Sequence, residues 1–443
     1  MMQDKKNIIK QGGFSLRRQL IYLILIISVI MPQVLIAQDV LLLGSIPVEK
    51  EMDSLALAPN TGIAYGISKE EKTLYIFNLK NYAVKAKVKL NKKPQAIAVN
   101  PSNNLSFITA KADDGKGALY IIDKDGLALQ TIELPKDPQG IAINPKNNTA
   151  VIAIEKDKQL LILSIDTYTA VNTITLPHKP RLISLNTGAQ RAVIVAAKAT
   201  GEGKQNIVLI VDLNNGNLLH EIELKKEITG IAVDSEKNIA VITGDGGILL
   251  FDLNSLTNSP IHQFNLLSES PAATDSPASS VDINQSTHIA VITGKDGFRL
   301  LDLNSLTIYP FTYSPVSSIA VDTLRNTALL GNKTSVIEIQ LPNPVPVITN
   351  LIPASSRAGE PGFSLKVEGD KFITTSSVQF NWNNLSTIFR DNKELEALVP
   401  SALLTSPGTV PVTVTNPSPD GGISAQYPFM IKYPAPALTS ITP

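Results

Sequence analysis

Short apolar segments alternate with polar turns along most of the chain, and one phrase recurs among them. Residues 141–154 read IAINPKNNTAVIAI, and residues 231–244 read IAVDSEKNIAVITG. Each copy opens on an apolar triplet, and we call the central residue of that triplet the anchor. The anchors are spaced by 42, 44, 42, 48, 50 and 38 residues, at Ala56, Ala98, Ala142, Ser184, Ala232, Asp282 and Ala320. The chain therefore contains seven copies of one unit.

Each copy predicts four short β-strands. In the third copy the segments GIAIN, TAVIAI, QLLILSI and AVNTITL are rich in strand-forming residues, and the separators PKNN, EKDK and DTYT suit turns. Four antiparallel strands in every unit of about 40–45 residues are typical of a β-propeller blade. Because a sheet that is apolar on both faces must stack against another sheet, we expect an all-β, seven-bladed β-propeller over residues 38–342.

An N-terminal strand is expected to close this ring. The seventh copy supplies SSIAVD, TALLGN and SVIEIQL and then reaches Pro342 and Pro344, so its fourth strand is missing. The apolar segment Val40–Val48 is left over at the other end of the repeats. We predict that this segment completes the seventh blade. The small anchors then lie on the innermost strands, where large side chains would collide.

The copies resemble the YVTN family of β-propeller repeats, which occurs in exported and surface proteins of bacteria and archaea. The stretch IAYGISKEEKTLYIFNLKNYAVKAKVKLNKKPQAIAVNP carries the resemblance, and IAYG, SFIT, AVIA and AVIT stand in place of the tyrosine-valine-threonine-asparagine signature. The resemblance covers residues 40–342. It implies the fold but no particular function, because packing residues and turns define the family.

The pattern changes in residues 343–433. Alternating strands and Gly/Pro turns over about 90 residues predict an immunoglobulin-like β-sandwich. The segments VEGDKF, VPSAL and VPVTVTNP resemble the IPT/TIG family, and Trp382 is expected to be a core aromatic residue. Residues 434–443, PAPALTSITP, are similar to PVPVITNLIP at 344–353. They are expected to be the first strand of a further, incomplete IPT/TIG repeat.

Residues 1–37 have the features of an export signal. Five basic side chains precede the apolar run Leu20–Met31, and a helix breaker, Pro32, and a small residue, Ala37, follow it. This order predicts a signal peptide cleaved near Ala37. The alternative is an uncleaved membrane anchor, for which Leu20–Ala37 is at the short end of the usual range.

Charge and cysteine content narrow the classes of partner and site. Residues 38–443 carry 34 basic and 38 acidic side chains, which argues against a nucleic-acid-binding surface. The chain has no cysteine, which excludes disulfides and thiolate metal sites.

Three sets of recurring residues suggest chemistry but fit structural roles better. His178, His220 and His262 recur at intervals of 42 residues, in or beside predicted outermost strands. Because the outer edges of separate blades diverge from one another, no metal site is expected at these histidines. His288 falls in a predicted second strand. Aspartates end the predicted third strands before turn residues, at Asp123, Asp212, Asp252 and Asp302, and suit side-chain to backbone hydrogen bonds. The clusters GDGG, GKDG and DDGKG suit hairpins and precede no helix, so they predict no phosphate site.

Asp282 is the only charged anchor. Its carboxylate is a candidate for a ligand or ion site in the central channel, and the alternative is that water or neighbouring backbone groups hold it. Two insertions, Leu266–Ser280 and Lys198–Asn206, are expected to project as loops, which often carry binding function.

These features favour a non-catalytic binding or scaffold protein that is exported or displayed on the cell surface. It would present a rigid propeller on immunoglobulin-like spacers to a protein or polysaccharide partner, without a cofactor, a metal or a nucleic acid. It would contact a membrane only through the N-terminal segment, if that segment is uncleaved. The alternative is a propeller enzyme, a lactonase- or lyase-like hydrolase or lyase, with a site at the axial channel. We predict no enzyme, because the inner strands are nearly all alanine and aliphatic residues and the histidines lie near the rim.

Overall fold

A computed structural model describes residues 40–434 apart from 60, 201–202, 225, 246 and 265–277, and it leaves the side chains of residues 200, 203 and 204 undescribed. The described chain is all-β, with one short 3-10 helix, η1 (Ser401–Leu403). The predicted signal segment 1–37 and residues 435–443 of the predicted extra strand lie outside the described residues. Among the described residues, no helical segment has the length and apolar composition needed to cross a bilayer.

Within the described ranges, residues 41–340 form seven four-stranded antiparallel sheets. We number the sheets 1 to 7 along the chain, in the order β2, β6, β10, β14, β18, β22 and β26 of their first strands. Sheet 1 contains β2 (Ser54–Ala58), β3 (Ile63–Ser68), β4 (Thr73–Asn78) and β5 (Ala83–Lys89). Sheet 2 contains β6 (Lys93–Val99), β7 (Ser106–Lys111), β8 (Gly117–Ile122) and β9 (Ala128–Leu134). Sheet 3 contains β10 (Pro138–Asn144), β11 (Thr149–Ile154), β12 (Gln159–Ser164) and β13 (Ala170–Thr175). Sheet 4 contains β14 (Lys179–Asn186), β15 (Arg191–Thr200), β16 (Gly203–Asp212) and β17 (Leu218–Leu224).

The remaining three sheets have the same strand order along the chain, with one exception in the last. Sheet 5 contains β18 (Ile228–Asp234), β19 (Ile239–Gly244), β20 (Gly247–Asp252) and β21 (His262–Phe264). Sheet 6 contains β22 (Ala278–Asn284), β23 (Ile289–Gly294), β24 (Gly297–Asp302) and β25 (Thr307–Thr312). Sheet 7 contains β26 (Ser318–Asp322), β27 (Thr327–Gly331), β28 (Ser335–Gln340) and, as its outer strand, β1 (Leu41–Pro47).

The seven sheets have a propeller-like arrangement. The first strand of each sheet contacts the first strand of the next sheet, and β26 of sheet 7 contacts β2 of sheet 1. The seven anchors all lie on these first strands. The middle strands are almost wholly buried, whereas the fourth strands β5, β9 and β13 expose every second side chain or more. Apolar middle strands therefore pack between neighbouring sheets, and the fourth strands face the solvent.

The N-terminal strand β1 pairs antiparallel with β28, as predicted for Val40–Val48. Its Ile46 is buried in a core cluster together with Leu55 of sheet 1 and Val336 of sheet 7. Gly44 leaves room for the Tyr82 ring of sheet 1, because a Cβ added at Gly44 would lie 2.3 Å from two ring carbons.

A buried carboxylate lies beside the pairing of β1 with β28. The fully buried side chain of Glu338, on β28, accepts hydrogen bonds from Tyr82 Oη (3.0 Å) and from Thr327 Oγ1 (3.2 Å). Arg325 Nη1 lies 2.8 Å from Glu338 Oε1. This contact is ionic rather than a well-directed hydrogen bond, since Nη1 makes no directed hydrogen bond. Burial and the neighbouring carboxylate raise the pKa of Tyr82 to about 12. Sheets 1 and 7 are thus joined by a polar cluster as well as by apolar packing.

A second set of polar contacts joins neighbouring sheets at the C-terminal ends of their first strands. In each contact, the side chain of the last residue of a first strand forms a hydrogen bond, 2.7–2.9 Å long, with the side chain at the left-handed turn position of the next sheet. The pairs are Asn144–Gln190, Asn186–Asn238, Asp234–His288 and Asn284–Asn326. The first member of each pair is fully buried. The same residue caps its own turn, as Asn284 Oδ1 does for the N–H groups of Ser286 and Thr287. One buried side chain therefore fixes a turn and a neighbouring sheet together.

The chain from residue 347 to residue 432 forms two further sheets over one core. The first contains β29 (Val347–Ile352), β31 (Phe363–Asp370), β35 (Glu394–Val399) and β34 (Thr387–Asp391). The second contains β30 (Ser355–Arg357), β38 (Tyr427–Lys432), β36 (Gly408–Asn416), β32 (Ser377–Phe380) and β33 (Asn383–Asn384), with β37 (Gly422–Ile423) paired to β36. Buried residues of both sheets belong to one cluster.

Trp382 is not a core residue, contrary to the sequence prediction. Its side chain is 59% exposed in the turn between β32 and β33, where its φ of 65° places the backbone in the left-handed region. The buried aromatic residues of this core are Phe372, Phe380 and Phe429. The turn geometry directs the indole ring away from the sheets, so its apolar area does not contribute to the core.

Asn343 connects the seven-sheet region to the two-sheet region. Its Oδ1 accepts a hydrogen bond from Asn326 Nδ2 (2.7 Å), and its own Nδ2 donates to the Pro417 carbonyl (2.8 Å). Its backbone N–H donates to the Pro419 carbonyl, and its carbonyl accepts from Gly421 N–H. Because Asn343 is 4% exposed and bonded on both sides, the connection is a fixed contact rather than a free linker.

Candidate functional site

Asp282 lies on β22 and is bonded to backbone groups. Its Oδ2 accepts a hydrogen bond from Val321 N–H on β26 (2.8 Å), and its Oδ1 accepts one from Ile283 N–H (2.8 Å). The half-buried side chain therefore joins sheet 6 to sheet 7. Burial raises the pKa of Asp282 to about 6, although the two N–H donors act in the opposite direction. The geometry matches the backbone-bonded alternative for this residue.

This raised pKa predicts a pH-dependent contribution to stability. Between pH 4 and 6 the folded state binds a proton at Asp282 more readily than the unfolded chain does, so stability falls as the pH rises through this range. Asp282→Asn should remove this component. Measured by urea unfolding, the free energy of unfolding of Asp282→Asn relative to that of the wild type should rise by about 1–2 kcal/mol from pH 4 to pH 7. This is less than the full linkage value because solvent still reaches the side chain.

Two outcomes separate this explanation from others. Asp282→Ala should show the same flattened pH dependence with lower stability throughout, since it also loses both hydrogen bonds. Parallel pH profiles for the wild type and Asp282→Asn would contradict a raised pKa at this carboxylate.

The histidines and turn aspartates lie apart from one another. His220 and His262 lie on the fourth strands β17 and β21, as predicted, and His178 Nε2 lies 3.3 Å from Glu221 on the rim. His288 does not lie in a strand; it occupies the left-handed turn position just before β23 and contacts Asp234. In the described ranges, no three histidine or acidic side chains come close enough to hold a metal ion.

The turn aspartates act as sequence reasoning predicted. The first oxygen of each accepts a hydrogen bond, 2.7–2.9 Å long, from the backbone N–H two residues later, in Asp123, Asp212, Asp252 and Asp302. These carboxylates therefore stabilise the turns between third and fourth strands.

The two predicted loops differ from expectation. Lys198–Asn206 is largely a continuation of the hairpin β15–β16, with Lys198 paired to Gln205 and Ala197 paired to Asn206. Because the pairing of β15 with β16 continues through this segment, it is mostly β-strand, although its polar composition suggested a loop. Of the segment Leu266–Ser280, the last three residues begin β22 and residues 266–277 lie outside the described residues.

A set of polar residues that the sequence prediction missed lies at the N-terminal ends of the first strands. Three residues before each anchor, every copy carries a polar side chain. We call these residues the polar set: Asp53, Gln95, Gln139, Arg181, Thr229, Ser279 and Ser317.

The backbone gives this position a special geometry. In sheets 2 to 6 a register shift between the first and second strands spans the polar-set residue, as it does between Pro94 and Ala96 and between Pro180 and Leu182. A bulge leaves the extra residue outside the regular ladder and re-aims its side chain. In sheets 1 and 7 the residue just precedes the strand and still bonds the second strand through its N–H.

Contacts between sheets show that these positions neighbour one another. Thr229 Oγ1 donates to the carbonyl of Ala278, at the start of the next first strand. A Cβ added at Gly140 would lie 2.8 Å from the Arg181 carbonyl oxygen. The polar set therefore follows one end of the seven sheets, opposite the asparagine-rich contacts at the other end.

A polar cavity lies at this end, across sheets 3, 4 and 5. It has a volume of about 390 Å³ and carries two basic and two acidic side chains, Arg181, Lys226, Glu155 and Glu227. Within the described ranges, the hydrogen-bond partner of Arg181 Nη1 is the neutral Asn206 Oδ1, at 3.5 Å, and Glu155 accepts a hydrogen bond from Gln139 Nε2 (2.6 Å). Among the described residues, no ion pair within 4 Å neutralises these four groups.

A second, mainly apolar cavity adjoins the first. It has a volume of about 160 Å³ and shares Lys226 and Glu227 with the polar cavity. Its apolar lining includes Leu224, Ile228, Ile242 and Leu249. Thr243 borders it as well, but Ile242 and Thr243 are consecutive strand residues whose side chains point to opposite faces of the sheet. Thr243 Oγ1 lies beside Gly230, on the face toward Ser280 and Val281 of sheet 6.

The signal for this site was present in the sequence but distributed over the repeats. The residues at the seven positions share only their polarity. The register shifts that redirect their side chains cannot be recognised from the amino-acid composition. No protein-family model matches the chain, and no curated protein sequence matches it.

Proposed function

We propose that this is an exported or cell-surface, non-catalytic binding protein that uses the N-terminal end of its first strands. The observation that carries the proposal is the pair of adjoining cavities beside the polar set. Four charged side chains line the polar cavity without neutralising one another, and aliphatic side chains line its neighbour. Such convergent polar groups beside an apolar recess are typical of a ligand site.

The proposal includes a seven-bladed β-propeller followed by an immunoglobulin-like sandwich of the IPT/TIG type. The successive contacts of the first strands and the pairing of β1 with β28 support the propeller. The single core shared by the two sheets after residue 347 supports the sandwich. The contacts of Asn343 would let the sandwich present the propeller in a fixed orientation. The basic and apolar pattern of residues 1–37 supports export.

Arrays of peptides and glycans probed with the labelled full chain test this proposal. The proposal predicts binding to one class of ligand, and loss of that binding in Arg181→Gln at unchanged thermal stability. Glutamine is the matched replacement because it occupies the equivalent position in sheets 2 and 3, at Gln95 and Gln139. Arg357→Gln, the same substitution at an exposed position on β30 of the two-sheet region, is the control and should bind as the wild type does.

Two results would count against a binding role at this end. The first is the absence of any binding under all conditions. The second is turnover of a lactone or polysaccharide substrate that is lost in Asp282→Ala, which would favour an enzyme with a site at the axial channel.

A further inference from the structure

We propose that the two adjoining cavities bind a zwitterionic ligand with an aliphatic side chain, which is the chemistry of an amino acid or a short peptide. This inference rests on the proposed function and names its ligand class. It follows from two properties of the lining: the balance of charge and the position of the apolar recess.

The charges of the polar cavity favour a ligand that carries both signs. Arg181 offers a planar guanidinium whose described partner is a neutral amide at 3.5 Å, so it remains available to a carboxylate. Glu155 and Glu227 offer carboxylates to a cationic group in the same cavity. A polyanionic saccharide would satisfy Arg181 but would meet two carboxylates of like charge. A zwitterion instead finds a complementary charge at each end.

The apolar recess favours an amino acid over a neutral sugar. It shares Lys226 and Glu227 with the polar cavity, so one ligand would reach both spaces. An apolar cavity of about 150 Å³ accommodates a benzene-sized group, and a leucine side chain is smaller than that. Ile228 and Ile242 would contact the methyl groups of such a side chain.

Calorimetric titration of the full chain with L-leucine tests the inference. We expect binding of L-leucine and weaker binding of L-alanine, which fills less of the apolar recess. Loss of a charge-assisted hydrogen bond in Arg181→Gln should weaken L-leucine by about tenfold or more. Arg357→Gln should leave the affinity unchanged.

Related ligands show whether a free amino acid or a peptide is the ligand. 4-Methylpentanoate lacks the ammonium group and leucinamide lacks the carboxylate, so each should bind more weakly than L-leucine if the free amino acid is the ligand. Tight binding of the zwitterionic dipeptide leucyl-glycine would assign the site to a short peptide, whereas binding of N-acetyl-leucine or leucinamide as tight as that of L-leucine would contradict a zwitterionic ligand.

Other outcomes would overturn the inference. They are no heat of binding for either L-leucine or leucyl-glycine, equal binding of L-leucine by Arg181→Gln, or a preference for glucuronate over L-leucine. If the arrays still show binding that depends on Arg181, the proposed function stands and only the ligand class is wrong. If the arrays also show none, the proposed function fails as well.

Discussion

Replacing Arg325 with alanine is expected to lower the free energy of unfolding by about 3–5 kcal/mol at neutral pH, because it leaves a buried carboxylate without its cation. The Glu338 side chain is completely buried, and Arg325 is the only described cation within 4 Å of it. Tyr82 and Thr327 would still donate hydrogen bonds, but two neutral donors do not replace a charge in this environment. Urea unfolding followed by circular dichroism measures the loss.

A double variant separates the effect of charge from that of packing. Glu338→Gln in the Arg325→Ala background removes the unpaired charge and keeps an acceptor for Tyr82 and Thr327. It should recover much of the lost stability, whereas Tyr82→Phe alone should cost only about 1 kcal/mol. A loss below about 1 kcal/mol in Arg325→Ala, or no recovery in the double variant, would contradict a buried ion pair between sheets 1 and 7.

Replacing Asn326 with alanine should cost about 3–4 kcal/mol, because several buried groups lose their partner at once. Its Nδ2 donates to the carbonyl groups of Leu341 and Pro342 and to Asn343 Oδ1, and its Oδ1 accepts from Asn284 Nδ2. Asn326 itself is completely buried. Urea unfolding measures this loss, and limited proteolysis near residue 343 should be faster in the variant.

Asn238→Ala is the matched control for this substitution. Asn238 occupies the same left-handed turn position in sheet 5, with φ of 55° against 52° for Asn326, so the backbone cost of alanine is similar in both. The side chain of Asn238 has one described partner, Asn186 Nδ2. A loss of about 1–2 kcal/mol is expected there. Equal losses in the two variants would indicate that the backbone conformation, and not the hydrogen bonds of Asn326, determines the effect.

The sheets were predictable because their signal is local and repeated. Each copy carries its own strands and turn residues, and the missing fourth strand of the seventh copy pointed to Val40–Val48, which pairs with β28. The turn role of Asp252 and its equivalents followed from the residue type alone. Periodicity and turn chemistry act between residues close in sequence, so one sequence suffices to detect them.

The candidate site was not predictable in the same way. Arg181 lies on sheet 4, Glu155 directly follows β11 of sheet 3, and Lys226 lies between β17 of sheet 4 and β18 of sheet 5, so their proximity depends on the angle between sheets and on local register shifts. The hydrogen bond between the side chains of Asn284 and Asn326 likewise joins residues of two copies. Trp382 was misassigned because a left-handed turn, rather than hydrophobicity, decides where its ring points.

The measurement that tests the ring most directly is a disulfide between its first and last strands. The chain has no cysteine, and Pro47 on β1 faces Ser335 on β28, so Pro47→Cys with Ser335→Cys places two thiols on paired strands. The account predicts that mild oxidation followed by proteolysis and mass spectrometry yields one peptide pair joining residues 47 and 335. The control pair Pro47→Cys with Asn172→Cys, on sheet 3, should yield none. No cross-link in the first pair, or equal cross-linking in both, would contradict closure of the seven sheets by the N-terminal strand.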